Sequence, residues 1–224
     1  MTTSSLSFTI RPAVNALDLR RACEVRAEGY GHHMPSMRQS LIEPDALDRA
    51  EGTLVLICED KKTGDAVGTA RIQTSRQGPL LIEQSMPLPP HMSRLGRAEI
   101  TRLATLPKAD PVLKFAICKA AFLYCLSTQS RYAIIGARNE ALVRQYRRIG
   151  FVEMNADQPM VPLAHAGNMP HRVLMFDTLM GPREWQANPN QQGLFDFCFD
   201  TLHPDIELVE RLGASQWQGD ALAA

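Results

Sequence analysis

Two spacings of apolar residues divide the chain into candidate strands and helices. Segments such as TLVLICED and RYAIIGA are apolar or alternate residue by residue, which is typical of β-strands. ALDLRRACEVRAEGY keeps its apolar residues on one side at a helical spacing, and VLKFAICKAAFLYCLS is apolar on most sides, which indicates a buried helix. The pattern predicts strands at 7–12, 53–60, 66–75, 97–107, 131–137, 151–152 and 171–179, and helices at 16–30, 112–127 and 140–149.

Turn signals join these elements into one predicted fold. Gly64 in KKTGD favours a tight turn between the second and third strands, and Asp110-Pro111 favours the start of a helix. The order of elements predicts an α/β fold with a mixed, mostly antiparallel central sheet flanked by helices. We expect one domain over residues 1–180 and a C-terminal extension over residues 181–224 packed on it. In the extension, LFDFCFDTL suits either a strand or a helical turn.

Composition and charge argue against several classes of function. The 24 basic and 24 acidic side chains balance to a net charge of zero, which disfavours nucleic acid as a partner. The N-terminal MTTSSLSFTIRP lacks the pattern of a secretory signal, and FAICKAAFLYCL is too short to span a bilayer, so we expect no transmembrane segment. The five cysteines are scattered without a CxxC pair, which predicts reduced thiols in a cytoplasmic protein. His32 and His33 lack the neighbouring ligands that would complete a metal site.

Charged residues interrupt the segment RAEITRLATLP, residues 97–107, which otherwise has the pattern of a buried strand. They are Arg97, Glu99 and Arg102. We interpret them as part of a reaction centre, and the alternative is an ion-paired strand at a sheet surface. Because Glu99 and Arg102 are an odd number of residues apart, a regular strand would point them to opposite faces. If both serve one site, the strand is predicted to contain a bulge or a bend.

The segment NEALVRQYRRIGF, residues 139–151, resembles the closing motif of the GCN5-related N-acetyltransferase (GNAT) superfamily. The matching residues are Asn139, Tyr146, Gly150 and Phe151. Leu142 stands where a small residue is usual. FTIRP and EDKKTGDAVGTARI are similar to the first strand and the second hairpin of the superfamily, so the resemblance covers residues 7–155. It implies the GNAT fold and transfer of an acyl group from a thioester to an amine.

A second set of residues is similar in order and spacing to those of acyl-homoserine-lactone synthases and long-chain N-acyl amino acid synthases. These residues are Arg26, Tyr30, Asp45, Asp48, Arg71, Glu99 and Arg102. The tryptophan that lactone synthases carry shortly after Tyr30 is absent from HHMPSM, which favours the amino acid branch over binding of S-adenosylmethionine. The superfamily has a glycine-containing pyrophosphate loop where this chain has LATLPKADPVLKF, without glycine. That difference favours a donor carried on the phosphopantetheine arm of an acyl carrier protein, or a long-chain acyl-CoA.

Acyl transfer to an amine needs a group that takes the amine's proton and a group that protonates the departing thiolate. Glu99 is the candidate for the first role, and the alternative is an ion pair with Arg71 or Arg102. Tyr146 is the candidate for the second role, at the helical position where the superfamily places such a tyrosine, and the alternative is a core aromatic.

The other expected site residues bind substrates or organise the site. Arg71 or Arg102 could bind the carboxylate of an amino acid acceptor through a bidentate contact, or the arginines could hold the long 31–52 loop by ion pairs. The expected substrate-binding residues are Arg26, Tyr30, Arg71 and Arg102, the site-organising residues are Asp45 and Asp48, and the donor-binding residues are Leu103, Ala104, Thr105 and Asn139.

Together these features predict a cytoplasmic N-acyltransferase that moves a fatty acyl group from acyl carrier protein or acyl-CoA to an amino acid or similar small amine. We expect no metal and no tightly bound cofactor. The alternatives are an acetyl-CoA-dependent acetyltransferase and a catalytically inactive copy that binds an acyl carrier or a ligand. A carrier protein would dock on basic side chains, which are otherwise solvated helix charges: Lys108, Lys114, Arg144, Arg147 and Arg148.

Overall fold

The structure is a computed structural model that describes residues 2–32, 34–154 and 160–208. Its β-strands are β1 (Thr2–Thr3), β2 (Phe8–Pro12), β3 (Thr53–Asp60), β4 (Ala66–Thr74), β5 (Arg97–Thr105), β6 (Tyr132–Ala137), β7 (Val152–Glu153), β8 (Val161–Leu163), β9 (Met169–Asp177) and β10 (Thr201–Leu202). Its α-helices are α1 (Ala16–Gly31), α2 (Arg38–Leu41), α3 (Leu113–Ser127), α4 (Glu140–Arg148), α5 (Gly181–Ala187) and α6 (Gln192–Phe195). Short 3-10 helices lie at Pro35–Met37, Ala46–Arg49, Leu81–Gln84, Pro90–Met92, Ala164–Ala166 and Pro189–Gln191, and a π-helical turn lies at Asp196–Asp200.

Within the described residues, eight strands form one mixed sheet with the order β2-β3-β4-β5-β6-β9-β7, and β8 lies beside β9. β5 and β6 are parallel, whereas β2 with β3 and β9 with each of β6, β7 and β8 are antiparallel. The parallel pair is connected through α3, because parallel neighbours need a crossover. The predicted α/β fold with a mostly antiparallel sheet is therefore confirmed.

Local sequence signals account for most element boundaries. Gly64 has a φ of 74° in the turn between β3 and β4, as its position in KKTGD predicts. The predicted helix start at Pro111 is wrong, because α3 begins at Leu113. The backbone N–H of Val112 donates to the Asp110 carboxylate at 2.9 Å, and that of Leu113 to the Asp110 carbonyl at 2.9 Å, so Asp110 closes a turn ahead of the helix.

The described residues cluster into two compact units. The first unit contains Ile72–Thr101 and Ala121–Leu202 with β1, and the second contains Ser4–Arg71, Arg102–Ala120 and the described residues from His203 onward. The division at residue 180 stays a prediction, and residues 181–202 cluster with the first unit. The end of the predicted extension, residues 209–224, and His33 of the histidine pair lie outside the described residues.

In the second unit, α1 is held against its strands by small and aliphatic side chains. Leu19 and Ala22 pack with Val55 of β3, and further along the helix Val25 packs with Ala104 of β5. A Cβ built on Gly29 would lie 3.3 Å from the Cβ of Ala104, so the helix comes very close to the strand there. This packing buries the side of α1 that carries Arg26, which is 2% exposed.

In the first unit, the two faces of the sheet bury different side chains. Ile134 of β6 lies opposite Met175 of β9, and both contribute to a cluster with Ile82 and Leu163. Phe176 is the next residue along β9 and therefore points to the other face. There its ring packs at 5.1 Å from Trp185. We call these the aliphatic face and the aromatic face of the first unit.

No helix within the described ranges is both long and apolar enough to cross a membrane.

Candidate active site

Five charged side chains form a partly buried network in the second unit. Arg26 Nη1 donates to both carboxylate oxygens of Asp48 at 2.8 Å, and Arg71 Nη1 donates to both oxygens of Asp45 at 2.7 and 2.8 Å. Arg71 also reaches Asp48 at 3.3 Å, and Arg102 Nη2 lies 3.8 Å from Asp45. The structure therefore brings the predicted substrate-binding residues Arg26, Arg71 and Arg102 together with both predicted site-organising residues, and the Tyr30 phenol lies near Arg102.

The short 3-10 helix Ala46–Arg49 positions the two aspartates. Asp45 is its N-cap, and Asp48 lies within it. The Asp45 carboxylate accepts hydrogen bonds from the backbone N–H groups of Leu47 at 3.0 Å and Asp48 at 3.1 Å. In return the Asp48 carboxylate accepts from the backbone N–H of Asp45 at 3.0 Å. This reciprocal capping box needs acidic residues three apart, as in EPDALD. It fixes both carboxylates toward the arginines and supports an organising role for them.

Among the described residues, the three arginines and two aspartates of this network sum to a charge of 3 − 2 = +1. Arg26 Nε and Nη2 are buried and have no hydrogen-bond partner among the described residues. Burial lowers the pKa of the Arg102 guanidinium, and the neighbouring Arg71 cation lowers it further, while the nearby Tyr30 phenol and Asp45 oppose the shift. The excess charge at Arg102 can therefore be offset by an anionic group that binds there.

The remaining electrostatic effect in the network concerns Asp45. Burial alone would raise the pKa of this carboxyl, but hydrogen bonds and charge from Arg71 hold it below its usual range. Asp45 therefore stays ionised well into acidic solution, and the pairs that it makes with Arg71 and Arg102 persist there.

The backbone of β5 is irregular at Arg102, whose φ is 53°. A residue other than glycine in this left-handed region carries a strain of about 1–3 kcal/mol, and such strain clusters at functional sites. The bulge or bend in the charged strand stays a prediction, which this conformation supports.

Glu99 lies on the aliphatic face of the first unit, because its register partner on β6 is Ile134. Its side chain is 3% exposed. One carboxylate oxygen accepts a hydrogen bond from the backbone N–H of Ile82 at 2.9 Å. The other lies 3.5 Å from Nε2 of His165. A buried carboxylate that accepts a hydrogen bond from a backbone amide and lies beside an imidazole has a restricted orientation and can exchange a proton with a bound amine.

Tyr146 lies on the other side of the sheet. Its ring packs 5.9 Å from that of Phe151, which in turn packs 5.5 Å from Phe176 on the aromatic face. The ring is buried, with 5% of the residue exposed. Glu99 and the ring of Tyr146 are therefore on opposite faces, so the structure does not bring these two predicted residues together on one face.

The predicted donor-binding residues occupy different surroundings. Ala104 is buried under α1, so its side chain belongs to the core. Only its backbone could contact the acyl donor. Leu103 and Thr105 are half-buried. The Asn139 side-chain oxygen accepts the backbone N–H of Leu142 at 2.9 Å and caps α4. Donor binding by these four residues stays a prediction.

Two site residues were not predicted from the sequence. Ile82 contributes through its backbone N–H, which no side-chain pattern reveals, and His165 lies in VPLAHAGN, an irregular segment far from Glu99 along the chain. In the described part of the chain, no group of three or more His, Cys, Asp or Glu side chains is arranged to hold a metal.

Comparison with known proteins identifies the fold. No family model matches the sequence, and no curated protein is similar to it in sequence. Solved structures do match over most of the chain. FeeM, an N-acyl amino acid synthase from uncultured soil microbes, superposes with a TM-score of 0.60 at 14% identity, over 83% of this chain and 97% of its own. The chain has the GNAT fold.

Two further structures with the GNAT fold match to a similar degree. BjaI, a CoA-dependent acyl-homoserine lactone synthase, has a TM-score of 0.58 at 17% identity, over 92% of this chain and 96% of its own. An acyl-CoA N-acyltransferase from Pseudomonas aeruginosa has a TM-score of 0.52 at 16% identity, over 76% of this chain and 99% of its own. In this GNAT fold the motif that begins at Asn139 forms α4, and Gly150 ends the helix with a φ of 86°.

Proposed function

We propose that the chain is an N-acyltransferase that moves an acyl group from a thioester to the primary amine of a small acceptor. The observation that carries this proposal is Glu99, a buried carboxylate anchored by the Ile82 amide on a central strand of a GNAT fold. An N-acyl amino acid synthase and an acyl-homoserine lactone synthase share that fold.

The reaction needs one proton acceptor and one proton donor. Glu99 takes a proton from the acceptor's ammonium group, which leaves a neutral amine with a free electron pair. The amine nitrogen attacks the thioester carbonyl, the tetrahedral intermediate gives up its second N–H proton to solvent, and it collapses with loss of the sulfur. Tyr146 gives its proton to the departing thiolate and later regains one from solvent. Glu99 ends the cycle protonated and must lose that proton before the next one.

The proposed approach of the two substrates is argued from the positions of Glu99 and Tyr146. The parallel pairing of β5 with β6 runs from Arg97–Tyr132 to Ile100–Ile135, while β6 continues to Ala137. We infer that the acceptor binds on the aliphatic face and the thioester on the aromatic face. They would then meet beyond Ile100 and Ile135, where the pairing ends.

The acceptor is proposed to carry an anionic group, as an amino acid does. The charge network has an excess of one positive charge, and Arg102 makes the longest of its ion pairs, at 3.8 Å. A guanidinium binds a carboxylate through two parallel hydrogen bonds. We therefore assign Arg102 to the acceptor carboxylate, while Arg26 and Arg71 hold the two aspartates.

Arg102→Gln tests this assignment. Loss of a charge-assisted hydrogen bond costs about 1.5–3 kcal/mol, so KM for an amino acid acceptor should rise about 10- to 100-fold. The matching amine without a carboxylate should be acylated equally well by both proteins. Lys108→Gln is the control, because Lys108 is 66% exposed and makes only a 3.7 Å pair with Asp65. Equal KM values for the amino acid in wild type and Arg102→Gln would exclude Arg102 as the carboxylate ligand.

The acyl donor is proposed to be a long-chain acyl-CoA or an acyl carrier protein. The segment between β5 and α3, LPKADPV, contains no glycine, so it lacks the side-chain-free positions that allow a backbone to approach a pyrophosphate closely. Thiol release with acyl-CoAs of increasing chain length, and with acyl carrier protein charged with the same chains, tests the proposal. Rates that are highest with acetyl-CoA would instead favour an acetyltransferase.

Tyr146→Phe tests the proton donor. We expect kcat to fall about 10²-fold, since loss of a positioned acid usually has at least that effect. KM for the donor should change little, because the ring and its contact with Phe151 remain. Unchanged turnover would assign Tyr146 to the aromatic core alone.

A further inference from the structure

We propose that His165 is a positioning residue for Glu99 that also carries away the proton which Glu99 collects in each cycle. This inference rests on the proposed acyl transfer. It is carried by the 3.5 Å contact between His165 Nε2 and the Glu99 carboxylate, and by the difference in exposure of the two side chains, 14% for His165 and 3% for Glu99.

The burial of Glu99 is the reason that a proton-accepting partner would speed its reionisation. Acylation of an ammonium group releases one proton per turnover, and a carboxylate that keeps it cannot serve the next acceptor. One carboxylate oxygen accepts from the backbone N–H of Ile82, which is already used and cannot take a proton. His165 faces the other oxygen, and an imidazole has an ordinary pKa near 6.5, so it can both accept and release a proton around neutral pH.

The fold holds His165 in this position from both sides of its short 3-10 helix, Ala164–Ala166. The Ser85 hydroxyl accepts the backbone N–H of Ala164 at 2.9 Å. Beyond the helix, the N–H of Asn168 donates to the carbonyl of Leu163 at 2.9 Å, and Leu163 is itself buried in the aliphatic cluster. The segments that bring Ile82 and His165 to Glu99 are therefore fixed to each other as well as to the strand.

The proposed step balances in protons. Glu99 receives one proton from the acceptor's ammonium group, and the O–H bond formed on Glu99 breaks as Nε2 of neutral His165 takes that proton. Nδ1 of His165 is buried and keeps its own proton, so the imidazolium releases the transferred proton to water from Nε2, and Glu99 is again a carboxylate. No oxidant, reductant or further reactant takes part.

Other titratable side chains share this face of the first unit and enter any pH dependence. They are Glu83, His91, Arg97, Tyr132 and His171. Arg97 pairs with Glu83 at 3.2 Å, so these two charges offset each other. His171 holds the Met169 carbonyl at 2.7 Å, and burial lowers its pKa. His171 is thus held neutral near pH 7.

The test measures kcat and KM across pH for wild type, His165→Gln and His165→Ala, using a saturating acyl-CoA and an amino acid acceptor. We expect kcat to fall at least about 10-fold in both variants, with KM changed less than twofold, because His165 acts through Glu99 and does not bind substrate. The acid limb of the kcat profile should move, since one member of the titrating pair is gone. Added imidazole should restore turnover to His165→Ala in proportion to its concentration.

The control is His91→Gln, an exposed histidine that packs edge-on against Tyr132 at 5.9 Å. The His91→Gln variant should show the wild-type dependence of kcat on pH. A His165→Gln variant with wild-type kcat and acid limb would overturn the inference, as would a loss of kcat in His165→Ala that imidazole does not restore. Failure of the wild type itself to release thiol with any amine would instead overturn the proposed function, so the two failures are distinguishable.

Discussion

Glu99→Gln should lower kcat for acyl transfer by about 10²- to 10⁴-fold, the usual effect of removing a general base. The amide of glutamine has nearly the shape of the carboxylate and keeps an oxygen that can accept the Ile82 N–H, which lies 2.9 Å from Glu99 in the wild type. It cannot take a proton from an ammonium group. Thiol release from a long-chain acyl-CoA with a saturating amino acid measures the effect.

The matched control for this prediction is Glu83→Gln. Glu83 is another carboxylate of the first unit, and it accepts the backbone N–H of Leu80 at 3.0 Å and pairs with Arg97. Its loss of charge should leave kcat near the wild-type value. Equal kcat values for Glu99→Gln and wild type would remove Glu99 from the mechanism.

Asp48→Asn should lower the free energy of unfolding by about 3–5 kcal/mol, because removing one partner of a buried ion pair leaves the other charges uncompensated. The Asp48 side chain is 0% exposed and meets both Arg26, at 2.8 Å, and Arg71, at 3.3 Å. Asparagine keeps the size of the side chain but not its charge. Urea unfolding followed by circular dichroism gives the difference in free energy.

Asp45→Asn provides the comparison, since this side chain is 43% exposed although it also pairs with Arg71. The Arg71 charge that remains is buried but keeps its contact with Asp48 at 3.3 Å, so the expected cost is only about 1 kcal/mol. Similar costs for the two variants would contradict the view that Asp48 is the buried centre of the network. Turnover of each variant, measured where both remain folded, separates a loss of stability from a loss of activity.

Short-range patterns in the sequence were sufficient for much of the fold. The turn at Gly64, the capped helix after Asn139 and the paired aspartates at 45 and 48 depend on residues only a few positions apart. Their geometry follows from turn and capping preferences that act locally. The irregular backbone at Arg102 was predicted in another way. A regular strand would point Glu99 and Arg102 to opposite faces, so a common site for both requires a distortion between them.

Contacts between distant segments could not be predicted in this way. The contact of Glu99 with His165 joins a central strand to a short 3-10 helix more than sixty residues later, and nothing in VPLAHAGN marks its histidine. The same limit applies to the face on which Tyr146 packs, because that depends on the register of β9 and on the position of Phe176. Which arginine pairs with which aspartate likewise depends on how α1 and β4 are oriented, and not on spacing.

As proposed above, this GNAT fold joins an acyl group to an amine, and Glu99 is needed for the reaction. The most direct measurement is mass spectrometry of the products formed from a long-chain acyl-CoA and a mixture of amino acids, with wild type and Glu99→Gln in parallel. We predict N-acyl amino acids with the wild type and at most traces with the variant. Intact thioester and unmodified amino acids after incubation with wild type, or equal product from both proteins, would contradict the claim.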